Sequence, residues 1–178
     1  MKLKFILAVF VFKLFVVSSI LAQEKIPNGC LGVSFGSSPT TVKEIMAKKS
    51  GYPKGYSDDE NRILTYNPKF FAGNPCKNIY FFFTNKKMFR VVIEITLYYD
   101  NENYETFMRI YKDICEKYGY TEIYSKKDIF AYYCAIWGDE KNSIILVYDT
   151  EAVDAGLTIH YVNKALQNED DQKKKSEY

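Results

Sequence analysis

Apolar and polar positions along the chain recur with two periods, which predict helices and strands. Val42, Ile45 and Met46 fall at i, i+3 and i+4, so this segment is predicted to form a helix with one apolar face. Ser38 is placed to cap that helix. Pro39 suits its first turn, because proline lacks the N–H that would remain unbonded there. The first half of the chain therefore contains a short amphipathic helix.

A second and stronger helix is predicted to begin at Asp100 or Asn101, either of which can cap it. Its apolar residues form a continuous stripe at helical spacing, namely Phe107, Ile110, Tyr111, Ile114 and Tyr118. Gly119 follows the stripe and is well placed to end the helix. This helix is expected to pack on the core.

Strands are predicted around these helices from apolar and aromatic runs bounded by turn residues. A brief strand at 31–35 precedes the first helix. The later strands are predicted at 63–66, 70–71, 79–84 and 88–99 in the first half, and at 121–124, 129–137, 143–149 and 157–162 in the second half. Short turns between neighbouring strands, such as 85–87, favour antiparallel pairing.

The two halves, residues 31–99 and 100–162, share the order of a helix followed by a strand meander. Residues 66–83 can also be laid over residues 132–148, with a bulky pair before a glycine in each segment. We therefore expect a duplicated unit. The predicted fold class is α+β, with the helices packed on one face of an antiparallel sheet.

The chain opens with the pattern of an export signal. Basic residues precede an apolar run, and Ala22 offers a cleavage point before Gln23. Lys13 interrupts that run, and a lysine at the centre of a membrane helix costs roughly 2.5–3.5 kcal/mol. We expect residues 1–22 to be a cleaved signal peptide, with an uncleaved anchor as the alternative. The product is expected to be periplasmic or secreted, without stable membrane insertion.

Removal of this segment changes the charge of the chain. The whole chain has 24 basic and 22 acidic side chains, and three of the lysines lie within residues 1–22. The remaining part therefore has 21 basic against 22 acidic groups, a net charge of −1. A near-neutral domain lacks the basic face that nucleic acid binding requires, so nucleic acid is excluded as a partner.

Residues 23–162 are predicted to form the α+β domain. Residues 163–178 are polar and charged, and we expect a short helical turn followed by disorder.

All four cysteines follow the predicted signal; they are Cys30, Cys76, Cys115 and Cys134. An even number in an exported chain indicates two disulfides, with three possible connectivities. We favour Cys30–Cys76 and Cys115–Cys134, because each pair then lies within one half of the chain. Free buried thiols are the alternative.

The stretch 32–46, GVSFGSSPTTVKEIM, resembles the opening of small bacterial envelope or secreted proteins of the SmpA/OmlA or beta-lactamase-inhibitor-protein-like kind. In those proteins a glycine turn and small polar residues precede a helix of the form V-x-x-I/L, and a strand meander follows. The resemblance implies a binding module rather than an enzyme. The chain departs from the lipoprotein members because no lipidation cysteine follows its apolar run.

Candidate catalytic chemistry is sparse. His160, the single histidine, lies in a predicted strand without a hydrolase or metalloprotease motif around it, which indicates a structural role. The acids of 58–60 and 139–140 fall in a polar loop and a hairpin turn. Asp100 and Glu102 lack the spacing of a calcium loop. We predict no catalytic, cofactor-binding or metal-binding residues.

Two predicted strand segments, 79–83 and 129–133, are apolar or aromatic on both faces. One face must pack on the helices, and the other then displays aromatic rings, unless a dimer partner, the second half or a loop covers it. The residues that we predict for this binding face are Tyr80, Tyr98, Tyr132, Trp137 and Tyr148.

The sequence therefore predicts an exported, non-catalytic module that binds another protein in the cell envelope or outside the cell, with a homodimer also compatible. The alternative is a small hydrolase that acts on glycans through two carboxylates from separate elements.

Overall fold

The computed structural model describes residues 24–52, 55–57, 62–97, 100–127, 131–150 and 156–176. The helices of this part are α1 (Pro39–Ala47), α2 (Asp100–Tyr118) and α3 (Lys164–Ser176). Its strands are β1 (Gly29–Cys30), β2 (Val33–Ser34), β3 (Tyr56–Ser57), β4 (Ile63–Tyr66), β5 (Phe70–Phe71), β6 (Asn74–Thr84), β7 (Lys87–Ile95), β8 (Ile123–Lys127), β9 (Ala131–Gly138), β10 (Asn142–Asp149) and β11 (Gly156–Asn163).

An antiparallel sheet organises these elements. Its strands lie in the order β3-β4-β6-β7-β11-β10-β9-β8, and β5 pairs with the start of β6. One meander comes from each half of the chain, and the two meet where β7 pairs with β11. The strands β1 and β2 form a separate two-stranded sheet. The predicted α+β class is confirmed.

One face of the sheet, here called the inner face, carries the core. A row of cross-strand neighbours crosses five adjacent strands, and each member is at most 3% exposed; the row consists of Ile79, Ile93, Ile159, Leu146 and Ala135. Both predicted helices supply buried side chains to the same core, among them Val42 of α1 and Phe107 of α2. Alternation along each strand sends the intervening residues to the opposite, outer face.

Aromatic rings join α2 to the inner face. Phe107 is fully buried, and its ring centroid lies 5.8 Å from that of Tyr133 and 6.4 Å from that of Tyr148. Near the end of the helix, Trp137 donates its indole N–H to the carbonyl of Gly119 at 2.8 Å. Gly119 has a φ of 88°, a value that favours glycine, and ends α2 as the sequence predicted.

The structure differs from the sequence prediction after Val162. Instead of a single turn followed by disorder, α3 extends over Lys164–Ser176. The side-chain oxygen of Asn163 accepts the N–H of Leu166 at 3.0 Å and so caps the helix. Asp170 and Lys174, which are one helical turn apart, form an ion pair with 2.7 Å between the carboxylate oxygen and Nζ. Helix prediction relies on an apolar stripe, which is nearly absent in this segment. The sequence pattern therefore did not predict α3, which is stabilised by local polar bonds.

Helix α3, which the sequence did not predict, packs on the sheet near Arg90. Arg90 lies on the outer face, where its guanidinium stands over the ring of Phe82. The pKa of Arg90 is lowered by burial and raised in part by the charge of Asp171, which belongs to α3. The helix also contacts β6, β7 and β11. It therefore packs on the outer face, opposite α2.

Residues 1–22, predicted to be a signal peptide, lie outside the described residues. No helix in the described part of the chain is long and apolar enough to cross a membrane.

Replacement of Phe107 by alanine tests the contribution of the aromatic core. The substitution leaves a cavity among four aromatic neighbours, so the free energy of unfolding is expected to fall by about 3–5 kcal/mol. Urea unfolding followed by circular dichroism measures the loss. The matched control is Glu105→Ala on the exposed side of α2, for which a change within about 0.5 kcal/mol is expected. A similar effect of both substitutions would contradict this account of the core.

Candidate functional site

The outer face divides into a part next to α3 and a part beyond it. Next to α3 lie Phe82 and Arg90. Farther across the sheet, the outer side chains of β8, β9 and β10 form a surface that we call the aromatic patch; it consists of Tyr124, Tyr132, Ile136, Ile145 and Val147. Strand register places these residues side by side, because Ile136 pairs with Ile145 and Tyr132 is diagonal to Tyr124.

Two members of the aromatic patch are unusually accessible. Tyr124 is 64% exposed and Ile136 is 54% exposed, although both lie within regular strands. The rings of Tyr124 and Tyr132 meet edge to face with centroids 6.4 Å apart. Apolar side chains held in this way on a sheet form a surface that can be buried by a partner at low entropic cost.

A polar cluster occupies the outer face of β6 and β7. Glu94 accepts hydrogen bonds from Asn78 at 2.8 Å and from the hydroxyl of Tyr80 at 3.1 Å, and it pairs with Lys77 at 3.1 Å. Burial opposes ionisation of Glu94, but these donors outweigh it and lower the pKa of the carboxyl. Burial and the Glu94 charge raise the pKa of Tyr80 to about 12. The cluster is thus an ionised carboxylate held by its neighbours.

His160 of β11 lies on the outer face between β7, which carries Arg90, and β10, which carries part of the aromatic patch. Its Nδ1 accepts a hydrogen bond from the Arg90 guanidinium at 2.6 Å, so the ring is neutral with its proton on Nε2. That proton can be donated to the hydroxyl of Thr158, 2.8 Å away. Burial and then the Arg90 charge lower the pKa of His160 to about 4. Both ring nitrogens of His160 therefore have hydrogen-bond partners within the sheet.

The predicted binding-face residues separate into two groups. Tyr80 and Tyr132 lie on the outer face. Trp137 and Tyr148 lie on the inner face, only 4% and 6% exposed, and cannot contact a partner there. Both pack with the aromatic rings of α2, which is why their large rings are buried. Tyr98 lies outside the described residues.

Tyr124 and Ile136 were not among the predicted site residues. The signal that could have found Ile136 is its position next to Trp137, because adjacent residues of a strand face opposite ways. Once Trp137 is assigned to the core, Ile136 must face outward. Sequence alone did not show which of the two faces α2 would cover.

The acidic residues considered from the sequence lie partly inside and partly outside the described residues. Asp139 accepts the backbone N–H groups of Lys141 and Asn142, each at 2.7 Å, and therefore shapes the β9–β10 turn. The acids at 58–60 lie outside the described residues. Within the described ranges, no group of three or more His, Cys, Asp or Glu side chains could hold a metal ion.

The four cysteines are thiols in this structure. Cys30 and Cys76 are both buried in the core. Burial raises the pKa of the Tyr52 hydroxyl, and both thiols add to that rise, so each lies in the neighbourhood of Tyr52. Cys134 of β9 is paired with Val147 of β10 and lies on the outer face. Cys115 belongs to α2, which packs on the inner face. The sheet therefore separates Cys115 from Cys134.

Comparison with known proteins gives a family for this fold. The family model described as the TP0088 domain matches residues 32–173, well over half of the chain. The chain belongs to the TP0088 family. The match covers α1, both meanders and most of α3, so this TP0088 domain includes the aromatic patch and the polar cluster. No curated protein and no solved structure shows significant similarity to the chain.

Acidification is expected to destabilise this TP0088 domain through His160. Its pKa is about 4 in the folded chain against an ordinary value of 6.5, so the unfolded chain takes up a proton first. The stability that His160 contributes is therefore complete above pH 6.5 and is lost as the pH falls towards 4. Between about pH 7 and pH 5 the expected loss is about 2 kcal/mol, measured by urea unfolding.

The control for this loss is His160→Gln, which keeps an acceptor for Arg90 but does not titrate. Its stability should fall less over the same interval, by about the amount assigned to His160. Equal losses in the two proteins would show that His160 does not cause the pH dependence.

Oxidation tests the positions of the cysteines. A disulfide requires Cβ atoms about 3.5–4.5 Å apart, so a Cys115–Cys134 bond is not expected in the folded domain. If disulfides form, we expect Cys30–Cys76, because both of these thiols lie in the neighbourhood of Tyr52. Peptide mapping by mass spectrometry without reduction distinguishes the pairings. A Cys115–Cys134 peptide from the native protein would contradict the placement of α2.

Proposed function

We propose that this chain is an exported, non-catalytic module that binds another protein through the aromatic patch. The observation that carries the proposal is the exposure of Tyr124 and Ile136 on strands of an otherwise well-packed sheet. Large exposed apolar side chains that form one contiguous surface are typical of interaction sites. Tyrosine also keeps a hydroxyl available for a hydrogen bond when its ring is buried by a partner.

The surroundings of the patch suit a protein partner more than a small ligand. The patch is the outer surface of neighbouring strands, and its side chains stand side by side rather than around a cleft. Polar residues surround the apolar centre, including Asp149 beside Tyr132 and Lys126 on β8. An apolar centre with a polar rim is the usual anatomy of a protein interface.

A second copy of the chain is the other occupant that the sequence left open. The edge strand β8 carries Lys126, and a lysine on an edge strand opposes pairing of two identical edges. This charge favours a different partner over an edge-to-edge homodimer.

Export of the chain is part of the proposal and rests on the sequence. Basic residues, an apolar run and a cleavage point after Ala22 support a signal peptide over residues 1–22. Lys13 within the run supports cleavage over a permanent anchor. The domain would then act in the periplasm or outside the cell.

Duplication of one unit is supported by the order of the elements. In each half a helix precedes a four-stranded meander, and the last strands of the two meanders, β7 and β11, pair with each other. A repeated unit related by a two-fold axis at β7–β11 would give this strand order.

The alternative function is a hydrolase that uses two carboxylates. The ionised Glu94 of the polar cluster does not suit the general-acid role in such an enzyme, because it has no proton to donate to a leaving group at neutral pH.

The substitution Ile136→Lys tests the aromatic patch. It places a charge at the centre of the patch and should reduce capture of a partner from envelope extract at least about tenfold, because a buried, unpaired charge strongly opposes association. The free energy of unfolding should change by less than about 0.5 kcal/mol, since residue 136 is exposed. Cross-linking followed by mass spectrometry measures capture.

The matched control is Ser50→Lys, which adds the same charge at an exposed position after α1. Its capture should equal that of the unchanged protein. Capture that survives both Ile136→Lys and Tyr124→Ala would show that the patch is not the binding surface. A change in sedimentation with Ile136→Lys and no captured protein would instead indicate a homodimer.

A further inference from the structure

A cavity of about 750 Å³ lies at the end of the sheet where β6 turns into β7. Small-molecule sites in proteins occupy roughly 300–1,000 Å³, so the cavity is large enough for a small ligand. It is lined by α1, the start of β4, the β6–β7 hairpin and α3, and shares no residue with the aromatic patch.

Backbone hydrogen bonds bring two of these elements, α1 and the β6–β7 hairpin, together. Gly36 donates its N–H to the carbonyl of Met88 at 2.8 Å, and Met88 donates to the carbonyl of Ser37 at 2.9 Å. These two bonds hold the start of α1 beside the hairpin. Asn85 and Lys86 have φ values of 46° and 60°, which form a tight turn that directs Lys86 to the same end of the sheet.

Positive charge dominates the lining. Its basic residues come from four places in the chain, and they are Lys43, Arg62, Lys86, Lys173 and Lys174. The acidic lining residue in the described chain is Asp170, which already pairs with Lys174 at 2.7 Å. Like charges gathered around a concave, partly apolar surface raise the local concentration of anions.

The floor of the cavity is apolar. The rings of Phe82 and Phe89 lie there with centroids 6.5 Å apart, and Pro39 and Ile63 extend the same surface. An anion without an apolar part would leave this surface in contact with water. The lining therefore suits an organic anion better than a bare inorganic ion.

Thr84 provides a second and independent indication. It lines the cavity and is 4% exposed, and its hydroxyl has no hydrogen-bond partner in the described part of the chain. A buried hydroxyl without a partner destabilises a fold, so such a group commonly meets a ligand or water. The first turn of α1 also faces this cavity through Pro39 and Thr40, and the start of a helix attracts negative charge.

We propose that the cavity binds the phosphate group of an organic phosphate, with the organic part on Phe82 and Phe89. A phosphate has several acceptor oxygens, which lysines from the hairpin and α3 and the hydroxyl of Thr84 can share. The group can belong to a soluble molecule or to a phospholipid at a membrane surface, since both present the same chemistry. This site is separate from the proposed protein-binding patch, so either can fail without the other.

Titration with phenyl phosphate, followed by the backbone amide signals of Thr84 and Lys86, tests the proposal. The shifts at these amides are expected to saturate at phenyl phosphate concentrations of up to about 10 mM. That concentration is sufficient to fill a site with a Kd of about 1 mM. The double variant Lys86→Gln/Lys173→Gln should weaken binding at least about tenfold. Thr84→Val, which keeps the shape of the side chain, should weaken it about threefold without lowering thermal stability.

The matched control is Lys25→Gln/Lys112→Gln, which removes the same charge at exposed positions outside the cavity and should change binding less than about twofold. Equal weakening by both double variants would overturn the proposal, because it would show attraction by net charge alone. Flotation with vesicles of phosphatidylglycerol and phosphatidylcholine identifies the source. Binding to vesicles without binding to phenyl phosphate indicates a lipid, and binding to neither overturns the site.

Discussion

The antiparallel pairing of β7 with β11 is the interaction on which the rest of the structure depends. It joins the meander of the first half to that of the second, with Ile93 directly opposite Ile159. Both side chains are almost completely buried, so the join lies under the core rather than at its margin. Because side chains alternate in a strand, this one register decides which residues of both meanders face α2 and which face outward.

The outer face is a consequence of that register and of where the chain goes next. β11 ends beside Arg90 of β7, and α3 follows immediately, so the helix can cover only the nearby end of β6, β7 and β11. Asn163 caps α3 at that point. The strands farthest from the join, β8 and β9, keep Tyr124 and Ile136 accessible. Because α3 follows β11 directly, it covers the outer face near β7 and leaves the outer face of β8 and β9 exposed.

Sequence periodicity was sufficient for the parts of the fold that repeat. The stripe from Phe107 to Tyr118 and the stop at Gly119 defined α2, because a long apolar face has a single helical interpretation. It was not sufficient for α3, whose stability comes from a cap and polar pairs, or for the choice of face. Trp137 and Ile136 are neighbours of similar apolar character, and only tertiary contact with α2 decides that the tryptophan is buried.

The polar residues around Glu94 and His160 explain why the aromatic patch is the better candidate for the proposed binding surface. Glu94 already accepts bonds from Asn78, Tyr80 and Lys77, and both ring nitrogens of His160 have partners. A partner that bound there would have to compete with bonds that the fold already makes. Burial of Tyr124 and Ile136 costs no such exchange, because their exposed atoms are mainly carbon. In the proposed binding, affinity is therefore expected to come from the aromatic patch, while the polar residues around Glu94 and His160 stay bonded to one another.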